Sequence, residues 1–404
     1  MKRSAAILVF AIVSQAGAAY AQDAASMQDA ASRTELIEQA EQAKAEALKP
    51  ARAGKAEEYV ARISDVFLSG QMHWHAFWQN AYSGGGFTVG AGYQRYVSSY
   101  NMIDFRGSIT PSGYKRLETE FLAPGLFKRR GTLSVIGGWR EATAVNFFGL
   151  GQNTQQQSLT NYGFTQPYLH ARLEVFPTRK LFVVRGNFEL SQWNQGSGSG
   201  SSPSVETVYT PATLPGLGAS PVYIHTQGMF GFDSRPARGY TRRGGFYGVT
   251  VHDYADTDKL YGFNQVDYEA IQHFPILREA WVLAFHAFAQ TTYDKGGQTI
   301  PFFMMPSFSG GSDLRAFDSW RLRDLNSLLL QGEWRANINR FVEMALFYDA
   351  GKVAARRSDL TLDGMKTDFG FGFRFHGPIT TPLRIELAKG NEGFVLNFSA
   401  SQVF

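Results

Sequence analysis

A two-residue alternation of apolar and polar side chains, repeated in run after run from Gln71 to the C-terminus, predicts an all-β chain. The specific expectation is a 16-stranded antiparallel transmembrane β-barrel with a short helical N-terminal periplasmic segment. Two further observations point the same way. Connections between the runs are short on one side and long on the other, the arrangement of outer-membrane barrels. No segment beyond the N-terminus has the roughly 20 consecutive apolar residues that a membrane helix needs. A chain that spans lipid without such helices must be a barrel, the other structure that satisfies all its backbone hydrogen bonds there.

Composition narrows the classes. The 404 residues are 44% hydrophobic and 14% aromatic, with 33 Phe, 18 Tyr and 42 Gly, far too apolar for a disordered chain. A mean hydropathy of -0.22 fits a barrel with a polar lumen and excludes a helical membrane bundle. With no cysteine there is no disulfide framework and no thiol chemistry. A net charge of +4 gives no electrostatic support for nucleic-acid binding.

In chain order, 1–21 reads as a secretory signal peptide: Lys2 and Arg3, an apolar centre from Ala5 to Val13, and Ala19-Tyr20-Ala21 as the cleavage site. Residues 22–70 differ in kind. Ser32 with Glu35 forms a capping box before Leu36–Leu48, a run of helix formers that Pro50 ends. This segment reads as a helical periplasmic arm or plug, with a disordered leader as the alternative. The barrel takes up 71–404.

Strands are expected near 72–81, 86–98, 100–110, 113–123, 130–142, 164–176, 180–193, 221–233, 244–256, 261–274 and 279–293, then 325–336, 340–349, 367–377, 381–389 and 393–404. The lipid face is clearest at the end of the chain. Phe369, Phe371, Phe373 and Phe375 alternate with Gly370, Gly372, Arg374 and His376. In the last run Phe394, Leu396, Phe398, Ala400 and Phe404 share one parity, so Phe398 and the terminal Phe404 are assigned to a C-terminal barrel signal on the outward face.

The stretch 310–351 combines an irregular loop with two alternating strands. The loop carries Gly310, Gly311, Leu314, Arg315, Ala316 and Phe317. Glu333 and Asp349 lie on the polar parity of the strands that follow. The segments GGSDLRAF (310–317), RDLNSLLLQGEWR (323–335) and ALFYDAG (345–351), with DSRPARGYTRRGGFYG (233–248) and FGFRFHGP (371–378), resemble the BamA/TamA superfamily of outer-membrane barrels, the bacterial surface antigen family. The resemblance implies a 16-stranded barrel whose sixth outer loop folds back inside and sets an arginine against acidic residues of the next two strands. Here that implies Arg315 against Glu333 and Asp349, as a latch on the loop or as a static brace. Ala316 stands where the family usually has glycine, and the family's periplasmic POTRA modules are not recognisable.

The implied function is assistance in inserting or translocating a protein or lipid client in the bacterial outer membrane. The alternative is a passive channel or a structural surface antigen. Expected partners are outer-membrane lipid and lipopolysaccharide, and a protein client or periplasmic partner; no nucleic acid and no cofactor are expected. No catalytic set stands out: there is no G-x-S-x-G elbow, phosphate loop or H-E-x-x-H. His73 and His75 share a strand face as metal ligands do, but no third ligand is identifiable near them, so neither enzyme nor metal site is expected. Arg374, His376, Arg384 and Glu386 are assigned to ordinary solvation of the lumen. Phe317 and Trp320 either pack the loop inward or join an outer aromatic belt.

Overall fold

The architecture comes from a computed structural model that describes residues 38–41, 43 and 73–404, apart from 179, 180, 278, 309, 378, 379 and 400–403. The expected signal peptide lies outside the described residues. So does the expected arm, except for 38–41 and 43, which are helical within the stretch read as helix. Residues 72–404 form a unit of their own.

Alternation produces strands wherever turn residues bound it. The strands are β1 (Trp74–Ala76), β2 (Val89–Tyr96), β3 (Met102–Ile109), β4 (Lys115–Gly125), β5 (Gly131–Phe147), β6 (Thr160–Val175), β7 (Phe182–Gln192), β8 (Asn194–Ser197) and β9 (Val222–Asp233). They continue with β10 (Gly244–Asp256), β11 (Phe263–Ile276), β12 (Trp281–Asp294), β13 (Asn326–Asn337), β14 (Val342–Ala354), β15 (Lys366–Phe375), β16 (Leu383–Gly390) and β17 (Gly393–Ser399). Each pairs antiparallel with its successor, except that β7 pairs with β9 while β8 pairs with β6. The sheet thus has 17 strands where 16 are expected. The additional one is the four-residue β8, a continuation of β7 past Trp193 into Gly/Ser-rich sequence. Among the described residues no register joins β17 to β1, so the expected closure is not seen at that seam.

The two faces differ as the alternation requires. Phe369 and Phe371 are 56% and 45% exposed, while Asp368 and Arg374 on the opposite parity are each 1% exposed. Connections 97–101, 126–130, 176–181, 234–243, 277–280, 338–341 and 376–382 lie on one rim; the long 193–221 and 295–325 lie on the other. The long loops fold over the inner face. Phe302 and Phe303 of one and Leu214 of the other pack with Phe147, Tyr162, Phe164 and Trp193 of the wall in a buried aromatic cluster.

At the short-turn rim, the β9–β10 connection reaches across the sheet. Tyr240 stacks on His376 with centroids 4.0 Å apart, and its hydroxyl donates to Asn337 Oδ1 at 3.2 Å. Arg242 pairs with Glu343 and donates to the carbonyls of Glu279 and Ala280.

The terminal phenylalanine corrects a sequence expectation. Phe398 faces outward at 64% exposure, but Phe404 is buried. Its ring lies 5.1 Å from that of His286 and 5.1 Å from the Arg335 guanidinium, and it packs with Val183, Met229, Phe246, Ile271 and Val282. Phe404 stands beyond the described span of β17, Gly393–Ser399. The inward apolar patch of β7 and β9–β12 offers the ring a dry surface, and burying it there is favourable.

Candidate functional site: a loop pinned by a buried guanidinium

The site is built where strand register stacks inward-facing residues into rows. Asp349 of β14 pairs with Gln331 of β13 and with Asp368 of β15, and Asp368 with Gly390 of β16. The next row aligns Glu333, Phe347, Gly370 and Ala388, and the third aligns Arg335, Ala345, Gly372 and Glu386. Small residues in and beside these rows leave a recess against the wall. A Cβ on Gly351 would come within 2.8 Å of Leu314, and one on Gly390 within 3.1 Å of the Ala316 Cβ. The absence of side chains at those two positions lets the loop lie directly on the strands.

Gly310 and Gly311 open the loop with φ of 70° and 58°, the left-handed turn that glycine makes cheaply. Ala316 keeps a negative φ, so alanine in place of the family's glycine fits here without strain. Leu314, Ala316 and Phe317 are all buried. Leu314 and Phe317 pack with Phe308, Leu322, Leu329 and Val353, which places Phe317 inside. Trp320 also turns inward: it stacks on Tyr82 at 4.5 Å and donates its indole N–H to Ser83 O at 2.9 Å.

Arg315 sits at the centre, fully buried. Nε and Nη2 donate to Asp349 Oδ2 and Oδ1 at 2.7 and 2.8 Å, the bidentate geometry that a planar guanidinium matches. Nη1 donates to Glu333 Oε1 at 2.7 Å and to Glu386 Oε1 at 3.3 Å. The Phe347 ring lies 3.6 Å from the guanidinium carbon, a cation–π contact in a dry site. The backbone is held as well. Arg315 O accepts from Asn397 Nδ2 of β17 at 2.8 Å, Ala316 N–H donates to Asp368 Oδ2 at 3.1 Å, and Gln331 Nε2 donates to the carbonyls of Ser312 and Asp313 at 2.9 Å.

The carboxylates are shared with other buried cations. Glu333 accepts from Arg335 at 2.6 Å and from Arg374 at 2.9 and 2.6 Å; Arg374 also reaches Glu386 at 2.9 Å. The network therefore ties the loop to five consecutive strands, β13 to β17. Isolated, each of these charges would carry a desolvation penalty of several kcal/mol; mutual pairing is what permits them here. A second anchor lies farther along the loop, where Arg321 holds Glu392 at 2.7 Å and Thr154 Oγ1 at 2.7 Å.

Arg315, Glu333 and Asp349 thus meet in one cluster. Arg374 and Glu386, assigned from sequence to lumen solvation, belong to the same cluster. The sequence does not single out Phe347, Asp368, Gln331 and Asn397: alternation gives their inward parity, but not the register that stacks them against Arg315. His73 and His75 do not converge: His75 Nε2 meets Asp104 at 2.8 Å, and His73 Nδ1 lies 3.0 Å from Gln94 O. Among the described residues no group of three ligating side chains could hold a metal ion.

No protein-family model matches the chain, and no curated protein matches it. Among solved structures, the fold is similar to that of BamA from Haemophilus ducreyi lacking POTRA domains 1-3, at 13% identity and a TM-score of 0.56, over 81% of this chain and 68% of that one. CdiB from Escherichia coli aligns at 11% identity and TM-score 0.49 over 79% of this chain, and CdiB from Acinetobacter baumannii at 11% and 0.47 over 78%. The chain spans 59% and 56% of those two proteins. The likeness to BamA is one of fold.

Proposed function

We propose that the chain is an outer-membrane β-barrel, 16 strands in its wall, that assists the insertion or translocation of a protein or lipid client. In this reading the loop folded against the inner face is a latch. Arg315 holds it to β13, β14 and β16, and through Asn397 to β17, the strand that would close the wall against β1. Releasing the guanidinium would free the last strand and the loop together. The observation that carries the reading is this double engagement of one residue, its side chain on Glu333 and Asp349 and its carbonyl on Asn397. A static brace needs only the first.

The same geometry bears on the alternative of a passive channel. The aromatic cluster around Phe302 and the inward Trp320 cover the inner face toward the long-loop rim, which supports a plugged lumen. The expected signal peptide (1–21) and periplasmic arm (22–70) belong to this proposal.

The test uses the absence of cysteine from the chain. Ala316→Cys with Gly390→Cys places two Cβ atoms at the 3.1 Å contact of loop and wall, close to the roughly 3.5–4.5 Å of a disulfide. Oxidised, the variant is expected to lose client insertion in proteoliposomes, and a reductant to restore it. Unchanged insertion with the disulfide intact would eliminate the latch.

A further inference from the structure

The two rims of the sheet differ in charge. Among the described residues the short-turn connections carry three basic residues in 126–130, four in 234–243 and one in 338–341; their only described acidic residue is Glu279. The connections on the other rim carry seven basic and eight acidic residues. A net excess of seven positive charges among the described residues of one edge, in a chain whose total is +4, is a directional feature, not a property of composition.

Part of that excess is used internally. Arg235 pairs with Asp233, and Arg242 with Glu343. Lys128, Arg129, Arg130 and Arg340, in contrast, are exposed and form no ion pair among the described residues. They are interleaved with exposed apolar side chains at the same level: Tyr100 (57%), Phe127 (60%), Ile338 (57%) and Phe341 (55%). Arg129 donates to the Tyr100 hydroxyl at 3.0 Å and lies over its ring, and Arg340 lies 4.7 Å from the Phe341 ring. The 126–130 turn presents its cations at a cost in backbone energy. Phe127, Lys128 and Arg129 all take left-handed φ values, 51°, 57° and 66°, which non-glycine residues rarely adopt singly.

Aromatic rings beside guanidinium groups that have no carboxylate partner among the described residues, at strand ends, suit the boundary between acyl chains and headgroups. Because the turns are short, their charges stay at that level rather than reaching into solvent. We propose that this rim binds the phosphate headgroups of anionic phospholipids in the leaflet it meets, an inference that rests on the membrane-spanning reading above. Arginine donates two parallel hydrogen bonds to a phosphate, and juxtamembrane cations attract anionic lipid through the surface potential. An acidic polypeptide is the competing occupant, but it would not require the ring of apolar side chains that accompanies the charges.

The protein is reconstituted in phosphatidylcholine vesicles containing phosphatidylglycerol, with brominated acyl chains on one lipid or the other, and tryptophan quenching is read. Trp281, 41% exposed, begins the strand after turn 277–280 and reports on this rim. Phosphatidylglycerol is expected to be preferred by about fivefold, the scale of one well-placed surface cation. The preference should fall toward parity at about 1 M salt, where the Debye length is about 3 Å. Lys128→Gln, Arg129→Gln, Arg130→Gln and Arg340→Gln together should abolish it, and lysine at the three arginine positions should retain it.

Equal quenching by the two lipids in the wild type overturns the proposal, as does a preference that salt or the fourfold variant leaves intact; an acidic polypeptide as the true partner would give that equality. A folded, heat-modifiable wild type with equal quenching sinks the headgroup site and leaves the barrel standing. Failure to insert into either vesicle brings both down.

Discussion

At the scale of single residues, the asymmetry of the Arg315 contacts sets what each substitution should do. Asp349 has one ion-pair partner, Arg315, whereas Glu333 also has Arg335 and Arg374. Arg315→Ala therefore strands Asp349 more than Glu333, and breaking a buried pair in this way costs about 3–5 kcal/mol. Removing both charges, with Arg315→Ala and Asp349→Asn, should recover part of that loss, a coupling of about 0.5–3 kcal/mol for groups in contact. The temperature at which the folded band disappears in heat-modifiability gels reads both. Equal losses for the single and double variants would mean that Asp349 is not the principal partner. Arg315→Lys keeps the charge but loses the paired donors and the flat contact with Phe347, and should fall nearer alanine than wild type.

The loop as an element depends on what the wall omits. Gly351→Val builds a branched side chain where a single Cβ already meets Leu314 at 2.8 Å and Phe308 at 3.0 Å. It touches no charged group of the cluster, yet it should lift the loop and raise protease cleavage between 310 and 325 several-fold; wild-type resistance would show that the loop is not seated there. The β9–β10 turn gives a prediction in pH. Burial, opposed by the Gly377 carbonyl and Glu343 and aided by Arg242, holds the His376 imidazole below its usual 6.5. A base depressed in the folded state binds fewer protons there than in the unfolded chain, so its contribution is complete above about 6.5 and lost as pH falls. Amide exchange in 234–243, corrected for intrinsic rates, should quicken between pH 7.5 and 5.5, and His376→Phe should remove the difference.

These elements also separate what could be read in the sequence from what could not. The periods of β13, β14 and β15 were legible because alternation fixes the face of each side chain wherever one side is apolar. Arg315, Glu333 and Asp349 were legible through resemblance. Alternation turns Glu386 inward, but its place beside Arg315 depends on a register running through three strand pairings, to which a one-dimensional pattern is blind. Phe347 is hidden within an apolar run, although its odd number puts it on the same face as Asp349. For Phe404 the deciding contact is an apolar patch on β7 and β9–β12, strands distant in sequence, which local alternation does not report.

On the scale of the whole molecule, a sheet apolar outside and charged within has been given a buried loop that spans its inner face. Arg315 anchors the loop to β13–β17, while Trp320 and Arg321 reach Ser83 in the β1–β2 connection and Thr154 in the β5–β6 connection. In the proposed barrel a loop held at both ends would block the interior, so wild-type protein in planar bilayers should show little conductance and Arg315→Ala should conduct more. A steadily open wild-type pore would favour the passive channel.

The most direct measurement is the extent of disulfide formation between cysteines at 316 and 390 in native membranes, with and without Arg315. The account predicts nearly complete cross-linking when Arg315 is present and a large fall in Arg315→Ala. Absence of the cross-link in the first case, or equal yields in the two, would contradict the claim that this guanidinium pins the loop to the wall.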